Sequence, residues 1–118
     1  MKSVILSAAL MLSVTSAQAE SIYCTFTEPF LSVSYNSDTN KVKITSPDNG
    51  GAELNAIVKY KQGGVIRFEV EGLTQYLDLY LNKEGSDGMS DFIYPFEGVI
   101  SEQLYGGCET DSLKKRMP

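Results

Sequence analysis

VIRFEVEGLTQYLDLYLN, residues 65–82, holds two runs of alternation on either side of a turn. Ile66, Phe68 and Val70 alternate with Arg67, Glu69 and Glu71. Leu77, Leu79 and Leu81 alternate with Tyr76, Asp78, Tyr80 and Asn82. A period of two sends successive side chains to opposite faces of a strand, so each run has one dry face and one wet face. Between them, Glu71-Gly72-Leu73-Thr74 carries turn chemistry. The stretch predicts an antiparallel hairpin.

The same pattern extends in both directions. In residues 30–36, Leu31, Val33 and Tyr35 oppose Ser32 and Ser34; in 40–46, Val42 and Ile44 oppose Lys41 and Lys43. Leu54, Ala56, Val58 and Tyr60 alternate with Asn55, Lys59 and Lys61. Short turn-forming clusters at 36–40 and 62–64, and a longer one at 47–51, separate these runs. Adding residues 22–27, one strand from 93–100 and one from 103–108 gives about eight strands. The chain therefore reads as all-β: a small antiparallel meander, closed into an eight-stranded barrel, with a sandwich as the alternative. A barrel of that size is filled by its own side chains, so no lipocalin-like cavity is expected and function is sought on loops and outer faces.

The chain has 118 residues, 42% of them hydrophobic, with two Cys, no His and no Trp. Without His there is no Ser-His or Cys-His nucleophile pair and no imidazole base or metal ligand. Two Cys cannot complete a Cys₄ zinc site or hold an iron–sulfur cluster. Neither an enzyme nor a cofactor is expected. The net charge of −5 argues against a nucleic-acid partner.

Residues 1–19 read as a signal peptide: Lys2, then an apolar run over residues 4–14, then Ala17-Gln18-Ala19 as the cleavage site. The run is about half of what a membrane-spanning helix needs. Cleavage after Ala19 would deliver a periplasmic or secreted protein with no membrane span. Residues 20–111 form the single expected domain, holding fifteen acidic and six basic side chains, a net −9. Lys114, Lys115 and Arg116 make residues 112–118 a basic tail, expected to be flexible. An acidic body suits solubility or a cationic protein partner.

Export also bears on Cys24 and Cys108, near the two ends of the mature chain. In an oxidising compartment they are expected to bridge, closing a loop of about 85 residues worth roughly 4–5 kcal/mol in the chain-entropy model. Free thiols or an intermolecular bond are the alternatives. An internal bridge requires the first and last strands to be neighbours.

Three features could carry function. The first is the aperiodic stretch KEGSDGMSD, residues 83–91, where Ser86, Asp87, Met89, Ser90 and Asp91 are candidate binding residues. Asp87 and Asp91, with Glu84, could alternatively hold Ca²⁺, or two carboxylates could serve a hydrolase; the spacing does not match an EF-hand. The local alternative is that Asp87, Ser90 and Asp91 cap their own backbone. The second feature is TFTEPF, residues 25–30, where Pro29 ends a strand and Glu28 offers a polar contact at a corner packed by aromatics. The third is Tyr76 and Tyr80, which with Asp78 point away from the leucine face and could anchor a partner.

Thr27-Glu28-Pro29-Phe30-Leu31 shortly after Cys24, then Asp87-Gly88-Met89-Ser90-Asp91 with Tyr94-Pro95-Phe96, then Gly107-Cys108, resembles a family of small bacterial envelope proteins and lipoproteins whose role is not established. Its members carry a Cys–TEPFW segment and a DGMSD–YP segment followed by Gly-Cys. Leu31 stands where that family has Trp, and Gly85-Ser86 where it often has a Cys. The resemblance implies fold and export, and no activity. More loosely, the chain is similar to periplasmic inhibitors of C-type lysozyme, exported disulfide-stapled barrels that insert a Ser/Gly-rich loop into the lysozyme cleft. That likeness would make residues 85–91 the inserting loop. The expected role is a non-catalytic binding or accessory module of the cell envelope acting through residues 83–91, with a lysozyme-inhibitor-like protein as the alternative.

Overall fold

Cys24 and Cys108 lie directly opposite each other on the first and last strands, and their bond closes the sheet on itself. The computed structural model describes residues 20–118; the expected signal peptide, residues 1–19, lies outside them. Eight antiparallel strands follow in chain order: β1 (Ser21–Thr27), β2 (Phe30–Asn36), β3 (Lys41–Ser46), β4 (Asn49–Lys61), β5 (Val65–Val70), β6 (Tyr76–Tyr80), β7 (Phe96–Ile100) and β8 (Leu104–Thr110). Each pairs with its successor, and β8 pairs with β1, giving a closed barrel. The cysteine Cα atoms are 4.0 Å apart. That is closer than in most disulfides, because the two residues form a facing cross-strand pair.

The alternation decides which side chains go inside. Phe26, Val33, Val42, Phe68, Leu77 and Leu79 are buried together with the disulfide. The Tyr35 and Phe68 rings meet at 4.8 Å between centroids. Space is the reason for Gly98 on β7: a Cβ there would come 2.5 Å from the Cys108 sulfur. A single methyl at that point would push against the staple.

Several side chains sit differently from expectation. Tyr60 was expected on the core face but is 81% exposed, because it lies at the far end of β4 beside the turn at 62–64. Leu81 is also exposed, since β6 stops at Tyr80 and the Leu81 amide turns to bond the Gly64 carbonyl at 2.9 Å. The loop at 47–51 contracts to a tight turn around Pro47-Asp48, because β4 already begins at Asn49. At the corner of residues 25–30 the aromatics divide: Phe26 is buried in the core, while Phe30 faces out and is exposed.

The tail, expected to be flexible, folds back onto residues 84–93. Ile93 and Arg116 exchange backbone hydrogen bonds of 2.7 and 3.0 Å. The Arg116 guanidinium pairs with Glu84 at 2.9 Å, and the Ser112 hydroxyl donates to the Glu20 carboxylate. Two paired amides and an ion pair supply what the tail's own sequence lacks.

Candidate functional site: the strap over the barrel seam

Residues 81–95 leave β6 at one end of the barrel and pass along its outside. Gly85 and Tyr94 form an isolated antiparallel bridge, with both hydrogen bonds at 3.0 Å. This pins the two stems of the strap together. Tyr94 is 1% exposed and lies against Gly107 of β8, where any side chain would overlap the tyrosine ring. The strap therefore has a small core of its own on the outer face of the barrel.

Asp87 organises the tip. It is 7% exposed, and its carboxylate accepts from the Met89 amide at 2.9 Å, the Ser90 amide at 2.7 Å, the Ser90 hydroxyl at 2.7 Å and the Tyr94 hydroxyl at 2.9 Å. Burial alone would raise its pKa, but these donors outweigh burial and hold the carboxyl well below the usual carboxylate range. Burial, with donation to the Asp87 carboxylate, pushes the Tyr94 hydroxyl up to about 12. The two groups thus stabilise each other as carboxylate and neutral phenol.

The tip is also fastened to the corner at residues 27–30. Thr27 Oγ1 donates to the Asp87 carbonyl at 2.5 Å. Gly88 crosses the same threonine with φ +90°, and a Cβ there would lie 2.8 Å from Thr27 Oγ1. Two segments far apart in sequence therefore make one surface. On it, Glu28, Ser86, Met89, Ser90 and Asp91 are exposed, Met89 at 69%.

The candidate residues divide by role. Asp87 and the Ser90 hydroxyl face inward to their own loop, while Met89, Asp91 and Glu28 face solvent. Tyr76 and Tyr80 belong to β6, separated from β1 by β7 and β8 around the barrel. The Arg67 guanidinium lies 3.9 Å from the Tyr76 ring centroid, and the Lys83 ammonium 5.1 Å from that of Tyr80. Arg67 is held by Asp78 through Nε–Oδ1 at 2.7 Å and a terminal nitrogen to Oδ2 at 2.9 Å. Those bonds keep its guanidinium charged, above an already high pKa. Asp78 points outward as expected yet is 4% exposed. The face around Tyr76 is thus already packed with an ion pair and a cation–π contact.

Thr27 and Tyr94 were missed as site residues. Thr27 has the same parity as exposed positions, and only the course of the strap reveals its partner.

The chemistry open to this site is narrow. With every Asp87 acceptor position engaged and its pKa lowered, it is neither a proton donor nor a free base near neutral pH. Of the three carboxylates offered for Ca²⁺, Glu84 pairs with Arg116 at 2.9 Å and Asp87 accepts from its own loop, while Asp91 is exposed. Among the described residues, no group of three or more His, Cys, Asp or Glu is placed to hold a metal ion. No described helix is long and apolar enough to cross a membrane. No protein-family model, curated protein or solved structure matches the chain.

Proposed function

We propose that this chain is an exported, non-catalytic protein-binding module of the cell envelope that meets its partner through the exposed residues of the strap, Ser86, Met89 and Asp91, with Glu28 beside them. The observation that carries the reading is the buried Asp87 carboxylate with its four donors. It fixes the loop before any encounter, so a partner need not supply the ordering entropy. A flexible thioether at 69% exposure on a rigid base is an adaptable apolar contact. The disulfide fits periplasmic or extracellular residence, as does the leader-like sequence at 1–19.

The test is photo-crosslinking in envelope extract from a probe placed at Met89. Capture of one saturable protein, abolished by Met89→Ser with Asp91→Asn in a folded chain, supports the reading. Capture that ignores these changes overturns it. The lysozyme-inhibitor version draws on the acidic body, which would attract a basic lysozyme. Undiminished lysis with the protein in excess would remove that version alone.

A further inference from the structure

The four turns at one end of the barrel share a feature. These are residues 28–29, 47–48, 71–75 and 101–103, and each carries one carboxylate: Glu28, Asp48, Glu71 and Glu102. None of the four turns contains Lys or Arg. All four acids are exposed, and none is in an ion pair among the described residues. At the opposite end the charges are mixed, Lys41, Lys61 and Lys83 lying among Glu20, Asp38 and Asp111.

Between these turns the interior is incompletely filled. A recess of about 50 Å³ opens there, walled by Leu31, Ile44, Val70, Leu73 and Ile100 and reaching down to the Phe68 ring. One water needs about 10–15 Å³, so the recess admits a branched aliphatic group and is too small for a lipid tail. Leu73 stands on its lip with much of its side chain in water.

We infer that this mouth docks a basic peptide segment, one aliphatic side chain entering the recess while Lys or Arg residues on either side meet the surrounding carboxylates. Charge complementarity selects the occupant. Four separated acids around an apolar hole favour cations on several sides at once, and they repel nucleic acid and anionic lipid. A single ammonium would satisfy only one of them. The mouth excludes Met89 and Asp91 and shares only Glu28 with the strap surface, so the test substitutes Glu71 and Glu102 instead, and its failure leaves the strap reading standing.

The test is methyl NMR of the disulfide-bonded protein with capped pentapeptides at low salt. Lys-Lys-Leu-Lys-Lys is expected to shift the methyls of Leu31, Ile44, Val70 and Ile100. Replacing its Leu by Ser should weaken binding about tenfold, the worth of one buried aliphatic side chain. Glu71→Gln with Glu102→Gln, both surface changes, should weaken it several-fold and flatten its salt dependence. Equal binding of the Leu and Ser peptides, shifts confined to residues 83–91, or no binding near millimolar peptide would overturn the inference. So would hexylamine binding as tightly as the Leu peptide, since the site would then be one for alkylammonium.

Discussion

Thr27 and Asp87, 60 residues apart in sequence, are joined by a 2.5 Å hydrogen bond from the threonine hydroxyl to the aspartate carbonyl. Thr27 ends β1, and Asp87 is the residue around which the strap tip is built. The bond therefore couples the position of the exposed loop to the barrel wall. Replacing Thr27 with Val keeps the shape and removes the donor. The expected cost is about 1 kcal/mol, read from the denaturation midpoint. Amide exchange at residues 86–92 should accelerate while β1 stays protected.

Asp87 should make the protein acid-sensitive in a defined direction. Its folded pKa lies below the ordinary value, so its stabilisation is complete above the unfolded carboxylate pKa of about 4 and is lost as pH falls toward the lower folded value. Asp87→Asn should lower stability at pH 7 and flatten the acid limb between pH 5 and the acid end. Denaturant midpoints across that range decide it. Parallel curves for the two proteins would show that the strain of acidification lies elsewhere.

Tyr94 carries the opposite signature. Its pKa of about 12 exceeds the unfolded value of about 10, so its contribution is intact below pH 10 and fades as pH rises toward 12. In an ultraviolet titration of the seven tyrosines, Tyr94→Phe should remove a late component near pH 12.

Arg67 and Asp78 should behave as a unit. Arg67→Met strands a buried carboxylate and should cost about 2 kcal/mol or more. Adding Asp78→Leu should recover most of that loss. A double variant as unstable as the single one would argue that Arg67 acts through the Tyr76 ring instead.

Reduction of Cys24–Cys108 should lower the melting temperature sharply, because a loop of about 85 residues is released, worth roughly 4–5 kcal/mol. An unchanged melt in reductant would refute the staple.

The barrel itself was legible because alternation is a local signal. Leu77 and Leu79, or Val33 and Val42, reveal their face from parity alone, and the cysteines at the chain ends point to closure. Parity fails where a strand ends: Tyr60 and Leu81 keep the rhythm of the core but overrun the barrel. It also cannot show that an outer face is covered. Asp78, Val99 and Tyr94 are buried outside the central cluster, by neighbours that only the folded chain brings over. For the strap, the capping alternative for Asp87 was readable from Asp87 and Ser90 three residues apart. The Tyr94 and Thr27 contacts were not, since both depend on the path of the whole loop. Likewise, nothing in Lys114-Lys115-Arg116 announces that Arg116 returns to Ile93.

Ring closure has a consequence for how the molecule can be recognised. Every strand of the barrel has a neighbour on both sides, but β4 pairs with β3 over residues 49–55 and with β5 over residues 56–61, so free backbone edge is confined to the two halves of this one long strand. A partner strand, or a second copy of the chain, could extend the sheet only along β4 without opening the barrel. Everywhere else, specificity is written in side chains on the turns and the strap. Binding through the strap should leave strand amide exchange untouched while point substitutions at a few exposed positions abolish it; new protection at residues 49–55 would instead mark an added strand.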